Sequence, residues 1–169
     1  MMQVDTKRDR RIPMIKLDEA LKKHNLSMPN PPAKGGIYNP AREFGENLCF
    51  LSGCTPVFNG EVKWKGKVGE EITVEQGQEA AKLCVLNLLA NIQAAFGSLE
   101  KVKSIAKMLV FVAGTDSFYE HPKVANGASE LLVDIFGEEA GLCARSAIGV
   151  NALPGNVPVE IELLIELKP

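Results

Sequence analysis

The chain has 169 residues, the size of one domain, and 46% of them are hydrophobic, enough to build a core. A net charge of -2 makes nucleic acid and anionic membrane poor default partners. Four cysteines without a CxxC pair and two histidines remote from them give no metal-ligand cluster, and no run approaches the roughly 18 apolar residues of a membrane span.

Residues 1–34 hold eight Lys/Arg against four Asp/Glu, or +4, whereas the rest of the chain is at -6. Residues 1–13 read as a polar, loose tail with no apolar run of the kind a signal peptide carries. Over 14–25, Ile15, Leu17, Ala20 and Leu21 fall on one side of a short amphipathic helix. The Pro- and Gly-dense SMPNPPAKGG that follows reads as a linker. The expected division is an N-terminal extension, 1–34, with one short helix, and a folded unit, 35–169.

LCFLSG at 48–53 suits a buried strand ended by glycine. Asn59-Gly60 signals a hairpin, because both residues tolerate positive φ, and the alternation of EVKWKGKVG continues it as a ribbon with one wet face. Thr73-Val-Glu-Gln76 is a capping box that opens a helix over 74–96, with Gly97 as its stop. A short turn at 98–102 leads into KSIAKMLVFVA (103–113), a buried strand. Pro122 opens a second helix with an apolar stripe of Val124, Ala128, Leu131, Leu132 and Ile135, closed by Gly137. Strands at 144–150 and 158–167 finish the chain. In the last, Val159, Ile161, Leu163, Ile165 and Leu167 share one face, opposite Glu160, Glu162, Leu164 and Glu166. This order is α+β: a mixed sheet with two helices on one face. Phe50 and Leu164 make the other sheet face partly apolar, and self-association would bury it.

Arg145, in CARSAIG, lies among small and apolar neighbours, where a guanidinium needs an anion. It is either half of a structural ion pair or a bidentate clamp for a substrate carboxylate. Glu160 opens the alternating last strand and is either solvated or able to orient a water and relay a proton. Asn126, on the second helix, reads as a surface residue, and Tyr38 in GGIYNPA as a packed ring or part of a lid. There is no phosphate or dinucleotide loop, no G-x-S-x-G elbow and no partner that would make a triad with either histidine.

LCFLSGCTP, VKSIAKMLVFVAGTDSF, ARSAIGVNALP and PVEIELLIEL together resemble the Rid/YjgF family of reactive-intermediate deaminases, also called the L-PSP endoribonuclease family. The resemblance spans roughly 37–167. It implies a chorismate-mutase-like fold, a homotrimer with clefts between subunits, and cofactor-independent hydrolysis of enamines and imines of 2-amino acids to 2-oxo acids and ammonia; a cytoplasmic location is expected from the unpaired cysteines. It implies that Arg145 binds the substrate carboxylate and that Glu160 stands near the attacking water. Tyr38, Gly53 and Asn126 match further cleft residues. Ala147 stands where many members have cysteine, which removes thiol chemistry there while leaving its backbone to line the cleft. No cofactor, metal, nucleic acid or membrane is expected, only a small carboxylate substrate. Two alternatives stand beside deamination: binding of 2-oxo acids without turnover, and RNA cleavage, which the acidic domain and the lack of a His pair disfavour.

Overall fold

The computed structural model describes residues 15–169, so the stretch 1–13 read as a loose tail falls outside the described residues. In chain order the protein forms helix α1 (Leu17–His24) and strands β1 (Ala41–Phe44), β2 (Leu48–Cys54), β3 (Val57–Phe58) and β4 (Glu61–Val62). Helix α2 (Val74–Phe96), strand β5 (Val102–Ala113), helix α3 (His121–Gly141) and strands β6 (Ala144–Val150) and β7 (Val159–Leu167) follow. Five strands make one sheet in the order β1-β2-β7-β5-β6. The β5–β6 pair is parallel and the others are antiparallel, so the sheet is mixed. A parallel pair requires a crossover, and α3 supplies it.

Local chemistry sets α2 as the sequence predicts. The Thr73 hydroxyl accepts from the Gln76 amide and the Gln76 side chain accepts from the Thr73 amide, while Gly97 closes the helix in the left-handed region. Its apolar residues meet α3 and the inner sheet face, where Val159, Ile161, Leu163, Ile165 and Leu167 are all buried. The helices cross closely at Gly127, since any side chain there would collide with the backbone of Gln78. The α3 stripe is buried as expected, but the helix does not end at Gly137. That glycine interrupts it with extended, positive-φ geometry, and one further turn seats Ala140 in the core.

Three features depart from the sequence reading. Strand β1 pairs with β2 at the sheet edge, where AREF shows no alternation to announce it. The ribbon after Asn59-Gly60 is only two residues on each side. Beyond it the chain leaves strand geometry to bind elsewhere: the Gly66 amide donates to Asn156 O at 2.8 Å and the Val68 amide to Ala113 O at 2.9 Å. Finally, α1 shares the core of the helices after residue 35. Ala20 is buried, and Asp134 of α3 accepts from Lys23 Nζ at 2.8 Å and sits 2.7 Å from His24 Nε2.

The outer sheet face is open. Phe44 and Phe50 stack there with centroids 5.0 Å apart, Phe50 is 52% exposed, and Ile148 and part of Leu164 lie on the same side. No helix among the described residues is long and apolar enough to cross a membrane.

Candidate functional site

The candidate residues fall into two groups in the protomer. The first surrounds a cavity of about 440 Å³ at the end of β2 and β7, which Tyr38, Gly53 and Glu160 all line. Two hydrogen bonds tie the Tyr38 segment to β2: Ser52 Oγ donates to Asn39 O at 2.7 Å, and the Ser52 amide donates to Pro40 O at 3.0 Å. The β2–β7 register slips between Leu51 and Cys54, placing Gly53 over Glu160. The Glu160 carboxylate occupies the space a Cβ at Gly53 would take, so a side chain there would push the carboxylate aside. Burial raises the Glu160 carboxyl above its ordinary value, and the nearby charge of Glu162 adds to the effect. A carboxyl so placed changes hands with a proton more readily near neutrality than a solvated one.

The wall of this cavity hangs from α2. Asn87 Nδ2 donates to Thr55 O and Val57 O, both at 2.8 Å, and one turn later Asn91 Nδ2 donates to Cys54 Sγ at 3.3 Å. Sequence reading passed over both asparagines, although a signal existed. They are polar residues four apart within LCVLNLLANI, a helical stretch otherwise apolar and wholly buried. Cys54 brings a thiol to the cavity, but burial, with the Glu160 charge adding, pushes its pKa up to about 12, so it stays protonated and is no nucleophile.

The second group lies along β6 and the start of α3. Arg145 Nη1 donates to Asn126 Oδ1 at 3.0 Å and to Ser129 Oγ at 2.9 Å, and Nη2 donates to Pro122 O at 3.4 Å. All three acceptors are neutral, and no carboxylate pairs with Arg145 among the described residues. The guanidinium is therefore oriented and left with its charge uncompensated. Ala147 follows on the same face of β6, and then Gly149, over which the His121 ring lies with Nε2 2.6 Å from where a Cβ would stand. Asn126, read from sequence spacing as a surface residue, is the side chain that aims the arginine. Ser129, one turn further along α3, does the same and was missed.

The two groups do not meet within the protomer. Arg145 is in register with Met108 and Leu163, both core residues, so it points to the helix side. Glu160 is in register with Phe111 and Ile148 and points to the outer side. The groups hold complementary chemistry: a guanidinium without a carboxylate partner in one, and in the other a carboxyl of raised proton affinity in a cavity that no lysine or arginine lines. Among the described residues no cluster of His, Cys, Asp and Glu could hold a metal.

Comparison with known proteins agrees with this architecture. A family model described as "YjgF/chorismate_mutase-like, putative endoribonuclease" matches residues 18–167. Protein TCP17 of Trypanosoma cruzi is 47% identical over 103 residues, 61% of this chain and 64% of that protein, so the chain spans less than two thirds of this curated relative. Among solved structures, the protein Atu1372 of Agrobacterium tumefaciens, of unknown function, superposes with a TM-score of 0.82 at 35% identity over 90% of this chain and 92% of its own. A protein of Shewanella oneidensis that carries the same endoribonuclease label gives 0.82 at 33% identity, over 89% of this chain and 98% of its own. The fold and the sequence match over nearly the whole chain lead to one assignment: the protein belongs to the YjgF/chorismate mutase-like family.

Proposed function

We propose that the protein hydrolyses small enamines and imines of 2-amino acids to 2-oxo acids and ammonia, in a site completed where two protomers of a cytoplasmic homotrimer meet. The observation that carries this reading is Arg145: three neutral acceptors orient its guanidinium while its charge has no carboxylate partner. A partly exposed guanidinium fixed in this way, with no carboxylate of its own, is free to take a guest anion. The open apolar outer face, with Phe44, Phe50 and Ile148, supports assembly as the means of joining the two groups. Four free cysteines suit a reducing compartment.

In this mechanism Arg145 takes the substrate carboxylate in two charge-assisted hydrogen bonds, fixing the adjacent imine carbon. Orientation supplies much of the acceleration, because a protonated imine is already electrophilic. Glu160 accepts a proton from water as its oxygen bonds to that carbon, then returns it to the nitrogen. Glu160 then takes the remaining hydroxyl proton as the C=O bond forms and the C–N bond breaks, ammonia leaves and picks up that proton, and the 2-oxo acid remains. The protein's own side chains suffice, and no cofactor is invoked. RNA cleavage, the activity in the family's label, has less support, since no basic residue lines the cavity. Binding of 2-oxo acids without turnover would use the same arginine and would show as calorimetric binding beside a null deaminase assay.

The test is direct. Purified protein should accelerate the loss of 2-aminoacrylate, and Arg145→Ala should lower the rate about 10²-fold or more. Equal rates for the two proteins would discard the reading.

A further inference from the structure

The cavity around Glu160 holds a polar group that the deamination chemistry does not use. Asn91 is only 7% exposed, yet it lines this cavity, and one Nδ2 proton is given to Cys54 Sγ. Its Oδ1 accepts no hydrogen bond among the described residues. It is not sealed in as the Asn87 oxygen is, which is fully buried without a partner. A carboxamide oxygen without a partner, on a residue more than nine-tenths buried in the wall of a cavity, is costly to leave unpaired. Its position is fixed by the helix and by the thiol, so it can discriminate between ligands and not merely adapt to them.

The rest of the lining narrows what could pair with it. Glu160 is acidic; Tyr38, Ser52 and Thr55 are neutral; Pro32, Pro40 and Pro154 are apolar; the protomer itself contributes no cation to the lining. At about 440 Å³ the cavity is within the range that encloses ligands well beyond the smallest imino acids, which starts at roughly 300 Å³. We infer that this cavity receives the side chain of the imino acid, and that Asn91 selects side chains of several atoms ending in a hydrogen-bond donor, such as a carboxamide, over apolar or carboxylate-ended ones. The inference rests on the deaminase reading and names the substrate class for the same site. A donor on the substrate satisfies Asn91 Oδ1. An apolar end leaves that oxygen unpaired, and a carboxylate end meets both an acceptor and the Glu160 charge. Sites built to hydrogen-bond a substrate group reject analogues lacking it strongly, because their own buried polar group is stranded.

The experiment uses three imines of nearly equal size, generated in situ from glutamine, methionine and glutamate by amino-acid oxidases, with hydrolysis read as competition against semicarbazide trapping. Wild-type protein should prefer them in that order by kcat/KM, the glutamine-derived imine exceeding the methionine-derived one by about tenfold. In Asn91→Leu the glutamine-to-methionine ratio should fall at least threefold. A wild-type preference for the methionine- or glutamate-derived imine overturns the inference without any variant. A ratio that moves less than threefold in a folded Asn91→Leu overturns it as well. Wild-type turnover of the three imines that Arg145→Ala abolishes, but in the wrong order, removes the Asn91 assignment alone. No turnover of any imine removes the deaminase reading, and this inference with it.

Discussion

Glu160 and Gly53 show how a single missing side chain sets a chemical property. Only because position 53 has no Cβ can the carboxylate lie against β2, and that same closeness keeps water away and raises its affinity for protons. The linkage has a definite sign. A carboxyl raised in the folded state holds its proton longer there than in the unfolded chain, so folding loses stability as pH climbs from the ordinary carboxylate range through the raised value. Glu160→Gln removes that ionisation. Its thermal midpoint should exceed wild type at pH 7, the difference should shrink as pH falls to about 4, and deaminase activity should drop about 10²- to 10⁴-fold. A variant less stable than wild type at pH 7 would show that the carboxylate is not under the strain described. Residue-scale reading of sequence singled out Arg145 and Glu160 but not Asn87, Asn91 or Ser129. Spacing rules score apolar residues, and a buried asparagine on an apolar helix face is noticed only once its carbonyl or thiol partner is known.

At the scale of elements, α1 is the part whose attachment depends most on charge. Its hold on α3 includes Asp134 with Lys23 and His24. Burial works to raise the Asp134 carboxyl, but the hydrogen bonds and charges of those two partners outweigh it and bring the group below its usual value. A lowered carboxyl contributes stability above its unfolded value and loses it as pH falls through the folded one. Asp134→Asn should therefore cost about 1 kcal/mol or less, as partly exposed pairs do. It should speed amide hydrogen exchange in Leu17–His24 while leaving α2 unchanged. Exchange in α1 that ignores the substitution would mean that the packing of Leu17, Ala20 and Leu21 on the core seats the helix. Sequence gave the helix itself through its periodicity, and α2 to the residue through its capping box. It did not give the docking of α1, because a Pro- and Gly-dense stretch says that a chain turns, not where it returns. Nor did it give β1, whose four residues show no alternation because the strand is held by edge hydrogen bonds, Ala41 and the stacking of Phe44 on Phe50 rather than by a buried face.

For the whole molecule, the mixed sheet with helices on one side followed from the order of elements and from the alternation in β7. What sequence could not show is that β6 and β7, on either side of β5, aim Arg145 and Glu160 to opposite sides of that sheet, since facing depends on pairing register and not on distance along the chain. If one functional centre needs both, each folded chain brings half of one centre and half of another. Two crippled proteins, one lacking the guanidinium and one lacking the carboxylate, would each be inert alone. Unfolded together and refolded as a mixture, they should regain about a quarter of native turnover, because in a cyclic assembly one junction in four unites the two intact halves. Catalysis would then be a property of neighbours, and genetic dominance of either lesion would be partial.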